Sequence, residues 1–205
     1  MTARATIAIL AKAPIPGLAK TRLIPAIGAH AAAVLQERLI ERAVETAIAA
    51  AIGRVMLWAA PDIGHPAFVG LVPRFAVTLR RQPEGDLGTR MLAAMTAVNG
   101  PVLVIGTDCP AITGMHLREA AAVLRDGADG VAIPVEDGGY ALIGLAPPIP
   151  ELLTGVDWGT SGVMRETRRR AASLGLRLVE MAMSWDIDMP DDLDRMERDY
   201  PELVL

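Results

Sequence analysis

The sequence of 205 residues is poor in cysteine, in lysine and in aromatic side chains. Its one cysteine, Cys109, excludes an intrachain disulfide framework and a zinc site built from cysteines, and it suits a reducing cytoplasm. No uncharged stretch can form one membrane-spanning helix, because Asn99-Gly100-Pro101 breaks the longest of them. The apolar run near the N-terminus is too short and too strand-like for a signal peptide. We therefore expect a cytoplasmic protein without membrane insertion.

Strong charge of either sign is also missing, since the formal net charge is only −4. This value argues against a surface that coats nucleic acid, and the basic run at 168–170 lacks the aromatic neighbours that such a surface would use. Hydrophobic residues make up 52% of the chain and charged residues 21%, a composition that favours a folded protein over a disordered one. Neither a repeat nor a linker divides the chain, so residues 1–205 are expected to form a single domain.

Strand-like and helix-like segments alternate along most of the chain. Short apolar runs predict strands at 5–11, 54–60, 76–82, 101–107, 128–135, 140–145 and 176–185, and amphipathic or capped segments predict helices at 29–52, 87–98, 113–125, 160–173 and 190–198. The first strand reads as buried on both faces. This order predicts an α/β fold with a mainly parallel sheet that is covered by helices on both faces.

Both lysines of the chain lie in the loop that follows the first strand. This loop carries cations, a hydroxyl, a glycine and two prolines, a combination that can wrap a di- or triphosphate. It is not a Walker A loop, because Ala19 precedes Lys20 and the glycine spacing differs. The alternative is a solvated surface loop. The candidate nucleotide- and phosphate-binding residues here are Lys12, Pro14, Gly17, Lys20, Thr21 and Arg22.

Carboxylates follow two further strands. Asp108 ends the strand at 101–107, where it suits Mg²⁺ or Mn²⁺ together with phosphate oxygens; a turn or capping role is the alternative. Asp186 and Asp188 occupy alternate positions, so both can point the same way and share a cation with Asp108. The alternative for Asp188 is the N-cap of the last helix.

Two glycine-containing segments complete the candidates. In the segment 82–90, Gly85, Asp86, Gly88 and Arg90 could read a base or ribose, or Asp86 could simply cap a helix. In the turn Glu136-Asp137-Gly138-Gly139-Tyr140, the glycines would let a sugar approach the backbone while the acids accept hydrogen bonds; an ordinary hairpin turn is the alternative. Cys109 is interpreted as a small buried side chain rather than a nucleophile.

The order of six motifs resembles the DUF2064 family of bacterial proteins. The motifs are KAPIPGLAKTRL, QPEGDLGTRM, VIGTDCP, PVEDGGYALIGL, DWGTSGV and SWDIDMPDDL, and together they span nearly the whole chain. More distantly, the chain is similar to nucleotidyltransferases such as 2-phospho-lactate guanylyltransferase and the molybdenum-cofactor guanylyltransferase.

The resemblance implies a Rossmann-like α/β/α sandwich of the glycosyltransferase-A, or nucleotide-diphospho-sugar transferase, type. It implies that the first loop holds the nucleotide phosphates, that Asp108 binds the metal and that Asp186 and Asp188 form the second acidic position. It also places the turn at 136–140 and the residues Trp158, Thr160 and Ser161 against the sugar or acceptor. One departure is that Gly106-Thr107-Asp108 holds one aspartate, where many metal-dependent glycosyltransferases have an Asp-x-Asp pair.

These expectations predict a nucleotide-dependent transferase whose partners are a nucleotide or nucleotide-sugar and a small-molecule acceptor. Glycosyl transfer from an NDP-sugar is preferred, with Lys20 and Asp108 acting on the diphosphate and Asp137 or Glu136 on the acceptor hydroxyl. Nucleotidyl transfer from an NTP to a phosphorylated acceptor, and a nucleotide-binding module without turnover, are the alternatives. Asp108→Asn and Lys20→Ala are expected to impair turnover with little loss of stability.

Overall fold

The computed structural model describes residues 4–204, so residues 1–3 and 205 of the expected domain lie outside it. Within that range the strands are β1 Thr6–Lys12, β2 Val55–Ala60, β3 Thr78–Arg81, β4 Val102–Ile105, β5 Gly130–Pro134, β6 Tyr140–Leu145 and β7 Leu178–Glu180. The helices are α1 Ile24–Ala50, α2 Pro66–Val69, α3 Leu71–Phe75, α4 Leu87–Thr96, α5 Gly114–Arg125, α6 Pro150–Leu153, α7 Val163–Ser173 and α8 Asp192–Asp199, with a 3₁₀ turn at Pro201–Leu203.

All seven of these strands join one sheet in the order β3-β2-β1-β4-β6-β5-β7. Every pairing is parallel except those of β6, which runs antiparallel to both β4 and β5. The expected α/β class with a mainly parallel sheet is therefore confirmed. Because β1 and β4 are adjacent and parallel, the loops that follow them leave the same edge of the sheet, which brings the two lysines near Asp108.

The sheet is covered on both faces, and β1 shows how. Ile7 and Ile9 lie in the apolar cluster that includes residues of α1 and α5, whereas Ala8, between them, lies in the cluster that includes residues of α4 and α6. All three side chains are fully buried. A strand between two helical layers needs apolar residues at every position, which explains why β1 reads as a continuous apolar run.

Helix α1 begins earlier than predicted but contains a kink at Gly28, whose φ of 81° and ψ of 160° are not helical. The predicted start at residue 29 is therefore the start of the regular part. Glu37, Glu41 and Glu45 recur at every fourth position of α1, outside the set of buried residues. Among the described helices, α1 included, none combines the length and the apolar character needed to cross a membrane.

The predicted strand at 176–185 is wrong over most of its length. Only Leu178–Glu180 forms a ladder with β5. Beyond Glu180 the chain is held to β5 by single hydrogen bonds: Met181 donates its N–H to the carbonyl of Ala132, and Ser184 donates its N–H to the carbonyl of Pro134. The sequence does not predict helices α2, α3 and α6, because a segment of four or five residues is too short to show the hydrophobic period of a helix.

Candidate functional site

A cavity of about 780 Å³ opens at the ends of β1 and β4. Its volume lies within the roughly 300–1,000 Å³ of small-molecule sites. Seven of the predicted site residues line it on the phosphate and acidic side: Lys12, Lys20, Thr21, Arg22, Asp108, Asp186 and Asp188. Arg90 and Tyr140 line it as well. The first loop, the β4 loop and the segment at 186–188 thus meet around one space, although 166 positions separate Arg22 from Asp188 in the sequence.

Lys20 lies at the centre of this meeting point. Its Nζ is 2.6 Å from Oδ1 of Asp108 and donates a hydrogen bond to the backbone carbonyl of Ile187. The side chain is only 3% exposed, so the ammonium depends on these two partners in place of water. Lys20 also has a positive φ of 46°, which is uncommon for a residue with a Cβ. The loop therefore holds Lys20 in an unusual backbone conformation with its charge directed at Asp108.

The segment that carries Asp186 and Asp188 is fixed by its apolar residues. Trp185 and Ile187 are buried in a cluster with Leu23 and with Leu35 of α1. The N–H of Ile187 donates to the backbone carbonyl of Asp108 at 2.8 Å. Burial alternates along the segment, since Trp185 and Ile187 are buried whereas Asp186 and Asp188 are only half-buried. Asp186 and Asp188 line the cavity, although the segment is not a strand.

The capping alternative for Asp188 does not describe its side chain. Asp188 accepts a hydrogen bond from Arg22 across the cavity mouth. Asp192 performs the local backbone role instead, since its Oδ2 accepts from the N–H groups of Asp188 and Met189. The Arg22–Asp188 pair is largely exposed, so it contributes little to the stability of the fold. It is a contact that a charged ligand can replace.

Asp186 has an unusual electrostatic environment. Burial, followed by the negative charges of Asp137, Asp108 and Asp188, raises its pKa to about 6, and Lys20 only partly opposes the effect. Asp137 does not line the cavity, so it raises the pKa of Asp186 through its charge rather than through a shared contact in the cavity. The carboxylates at this end of the cavity therefore repel one another.

Gln82, at the end of β3, forms the opposite end of the cavity. It is 9% exposed, and its Nε2 donates to the carbonyls of Ala11 and Trp58 at 2.9 and 2.8 Å. These two bonds fix the amide so that Oε1 is the atom left for other partners. Arg90 approaches Oε1 at 3.4 Å, and its own Nε is buried without a hydrogen-bond partner among the described residues. The sequence makes segment 82–90 a candidate site, but the candidate residues chosen from it do not include Gln82. Its position directly after a strand, where ligands of parallel sheets bind, is the signal that could have identified it.

Three residues predicted in the same segment do not line the cavity: Gly85, Asp86 and Gly88. Asp86 caps α4, accepting from the backbone N–H and hydroxyl of Thr89 at 2.8 and 2.7 Å. A Cβ on Gly88 would lie 2.1 Å from the carbonyl of Leu153, so this glycine permits α4 to approach α6. The capping alternative therefore describes Asp86, and packing accounts for Gly88. Pro14 and Gly17 also lie outside the cavity wall.

The turn after β5 borders the cavity mainly through Tyr140. Glu136 is ion-paired with Arg195 at 3.0 Å, and Asp137 accepts from the N–H of Gly139 at 2.8 Å. Gly138 has a positive φ of 91°, and a Cβ there would lie 2.2 Å from the carbonyl of Ser161. Trp158 meets the Tyr140 ring edge-on. Tyr140 therefore lines the cavity, whereas the other predicted acceptor residues do not: Glu136, Asp137, Gly138, Gly139, Trp158, Thr160 and Ser161.

The expectation that Asp108, Asp186 and Asp188 share one metal ion needs correction. Across residues 4–204, no group of three or more His, Cys, Asp or Glu side chains is arranged to hold a metal ion. The ammonium of Lys20 takes up Oδ1 of Asp108 instead. The donor chemistry still fits Mg²⁺ that arrives with a phosphate, because this ion is bound through one or two carboxylates while phosphate and water oxygens supply the rest.

Comparison with known proteins decides the family. The model of the DUF2064 family, described as "Uncharacterized protein conserved in bacteria", matches residues 43–160, more than half of the chain. The chain belongs to the DUF2064 family. No curated protein matches this DUF2064 chain.

Solved structures show how widely the fold of this DUF2064 protein is shared. A protein of Desulfovibrio desulfuricans G20, provisionally assigned as a nucleotide-diphospho-sugar transferase, superposes with a TM-score of 0.83 at 24% identity, over 98% of this chain and 90% of the other. CMP:2-keto-3-deoxy-manno-octonic acid synthetase, complexed with CTP, gives 0.61 at 14% over 98% and 99%. Glucosyl-3-phosphoglycerate synthase of Mycobacterium tuberculosis, complexed with Mn²⁺, UDP and glucosyl-3-phosphoglycerate, gives 0.60 at 12% over 98% and 78%. At these identities the likeness shows the fold alone.

Proposed function

We propose that the protein transfers a glycosyl group from a nucleoside-diphosphate sugar to a hydroxyl group of a small acceptor. One observation carries the proposal: cations of the first loop and carboxylates that follow two other strands converge on a single cavity. Ligands of open parallel sheets bind beyond the carboxyl ends of the strands. The UDP and Mn²⁺ of the mycobacterial glucosyl-3-phosphoglycerate synthase complex support this assignment. The contributing residues run from 12 to 188, in keeping with one domain over the whole chain.

The donor is placed with its base near Gln82 and its diphosphate near the first loop. Oε1 of Gln82 can accept from a base N–H, and Arg90 can donate to a neighbouring base oxygen or nitrogen. Lys12, Lys20 and Arg22 would neutralise the diphosphate, the lysines as compact charges and the arginine as a planar donor. Asp108 and Asp188 would hold the divalent ion, which supplies additional charge stabilisation for the leaving diphosphate.

The transfer exchanges one bond for another. The acceptor oxygen bonds to the anomeric carbon, the bond from that carbon to the β-phosphate oxygen breaks, and the electron pair leaves with the nucleoside diphosphate. The acceptor proton passes to a carboxylate. We assign this proton to Asp186, because Asp186 lines the cavity and Asp137 does not. Asp137 and Glu136, the earlier candidates, then act at a distance through their charges.

Nucleotidyl transfer is the second candidate, and the likeness to CTP-bound CMP:2-keto-3-deoxy-manno-octonic acid synthetase favours it. In that reaction, a phosphate oxygen of the acceptor attacks the α-phosphate of an NTP and pyrophosphate leaves. The same loop would then hold the β- and γ-phosphates. The two reactions differ in the released product.

The products separate these candidates. The protein is incubated with Mg²⁺ and a panel of NDP-sugars or NTPs, with a bacterial small-molecule extract as the source of acceptor. Release of nucleoside diphosphate that depends on the extract supports glycosyl transfer, whereas release of pyrophosphate supports nucleotidyl transfer. Lys20→Ala is the inactive control. If nucleotides shift the melting temperature but neither product forms, the protein is a binding module.

A further inference from the structure

The two ends of the cavity differ in charge. The charged residues of its wall near β1 and α4 are the cations Lys12 and Arg90. All three carboxylates of the wall, Asp108, Asp186 and Asp188, lie at the other end, beyond β4 and β7. If the nucleotide occupies the β1 end, as the proposed function requires, the acceptor must approach through the acidic end.

Each cation of the acidic end already has a carboxylate partner. Lys20 is paired with Asp108, Arg22 with Asp188, and Arg195 with Glu136 on the rim. These pairs account for three of the carboxylates that face or border this end. Among residues 4–204, they leave no cation at this end free to receive a second anion without giving up its first.

Two further carboxylates have no cation. Within the described part of the chain, Asp137 accepts one hydrogen bond, from the N–H of Gly139 at 2.8 Å. Asp186 has neither a hydrogen bond nor an ion pair to any residue in the part of the chain that the structure describes, although it faces the cavity. With all five carboxylates ionised, this end therefore carries two more negative than positive charges.

We propose that the acceptor carries no anionic group, being either a neutral polyol or a hydroxyl compound with an amine. A phosphorylated or carboxylated acceptor would bring its charge beside Asp137 and Asp186 with no free cation to receive it. The donor and its divalent ion do not relieve this excess, because the two positive charges of the ion are offset by the negative charges of the diphosphate that it binds. The diphosphate also draws on Lys20 and Arg22. The inference rests on the proposed function and deepens it by defining the acceptor class.

The first test measures anion binding at the acidic end. The protein is saturated with nucleoside diphosphate and Mg²⁺, and inorganic phosphate is titrated in by calorimetry. We expect the wild type to bind phosphate more weakly than about 1 mM. Asp137→Asn and Asp186→Asn, which keep the side-chain shape, should each strengthen phosphate binding about tenfold. Asp126→Asn makes the same charge change at the distant end of α5 and should have no effect.

Two results overturn the inference: tighter phosphate binding by the wild type, or asparagine variants that bind phosphate no better than Asp126→Asn. If no nucleoside diphosphate binds at all, the proposed function fails. The comparison of Asp186→Asn with Asp126→Asn in the free protein then still decides the charge of this end.

The second test identifies the acceptor fraction directly. A bacterial small-molecule extract is divided on an anion exchanger, and each fraction is incubated with the protein, Mg²⁺ and sugar-labelled NDP-sugars. Label should enter material from the unretained fraction. If label enters the retained fraction while nucleoside diphosphate is released, glycosyl transfer stands and the acceptor inference falls. If no label is transferred, the phosphate titration decides the inference.

Discussion

The ammonium of Lys20 and the carboxylate of Asp108 form an ion pair of unequal exposure. Nζ lies 2.6 Å from Oδ1, yet the lysine side chain is 3% exposed while that of the aspartate is 49% exposed. Water can therefore solvate Asp108 when the pair is broken, but it cannot reach Lys20 to the same extent. Removing the lysine and removing the aspartate should therefore change the stability of the protein by different amounts.

In contrast to the expectation from the sequence that Asp108→Asn costs little stability, the buried partner Lys20 leads us to predict that Asp108→Asn destabilises the protein more than Lys20→Met does. Asparagine leaves a buried ammonium with neutral partners only, at a cost of roughly 1–3 kcal/mol. Methionine removes the charge, keeps an apolar stem and leaves an aspartate that water can solvate. Urea denaturation of both variants measures the difference. The reverse order would show that the lysine, rather than the aspartate, stabilises this junction. Both variants should lose affinity for nucleoside diphosphates.

Gln82 and Arg90 should affect the nucleoside but not the phosphates. Arg90→Met removes a donor near Gln82 while leaving the anchors of Gln82 to Ala11 and Trp58 in place. We expect nucleoside diphosphate binding to weaken about tenfold or more, the effect of one hydrogen bond to a charged group. Inorganic pyrophosphate, which has no base, should bind both proteins equally. A parallel loss of pyrophosphate affinity would place Arg90 at the phosphates instead.

Gly138→Ala should destabilise the protein more than Gly159→Ala. Both glycines have positive φ values, 91° and 80°, so alanine strains the backbone by roughly 1–2 kcal/mol at either position. Only at Gly138 does the new Cβ also meet a carbonyl, that of Ser161 at 2.2 Å; at Gly159 nothing lies within 4 Å. We expect about 2 kcal/mol of additional loss at Gly138 from overpacking. Equal losses in chemical denaturation would mean that the turn moves freely away from Ser161.

Cys109 should react slowly with alkylating reagents at neutral pH. Burial raises the pKa of its thiol, although a contact of 3.1 Å between Sγ and the hydroxyl of Ser184 partly opposes the effect. Less thiolate is then present than in an ordinary cysteine, and the thiolate is the reactive form. Iodoacetamide labelling should therefore be slower than in the urea-unfolded chain and should rise with pH above about 8.5. Because Cys109 lines the cavity, bound nucleotide should slow it further. Labelling as fast as in the unfolded chain would indicate an activated thiol.

The sequence predicted those features that depend on local pattern. The continuous apolar run of β1, the cationic loop after it and the alternation of Asp186 with Ile187 all follow from the order of residues alone. Gln36 shows what such patterns leave out. It lies within α1, where a glutamine reads as an ordinary polar position, yet it is buried and its Nε2 reaches the carbonyl of Lys12 at 3.3 Å and the hydroxyl of Thr107 at 3.1 Å. This bridge between the end of β1 and the loop after β4 exists only once the helix has packed on the sheet.

The glycines of the site were ambiguous for a related reason. Gly88 and Gly138 each occur in sequences that suit a ligand approaching the backbone. In the structure, the groups that approach are the carbonyls of Leu153 and Ser161 of the same chain. A missing Cβ shows that something comes close without showing what it is, and only the tertiary structure separates a protein carbonyl from a sugar.

The contacts of residues 185–187 form late when the chain is synthesised from its N-terminus. The N–H of Ile187 pairs with Asp108, and the carbonyl of Ile187 pairs with Lys20. During synthesis, the sheet from β1 to β6 can form while residues 185–188 are still within the ribosome. Until they emerge, Lys20 lacks one of its two partners and the acidic end lacks two of its carboxylates. The set of charged groups that lines the cavity is therefore complete only after residue 188 has emerged, well after the strands that position the other groups.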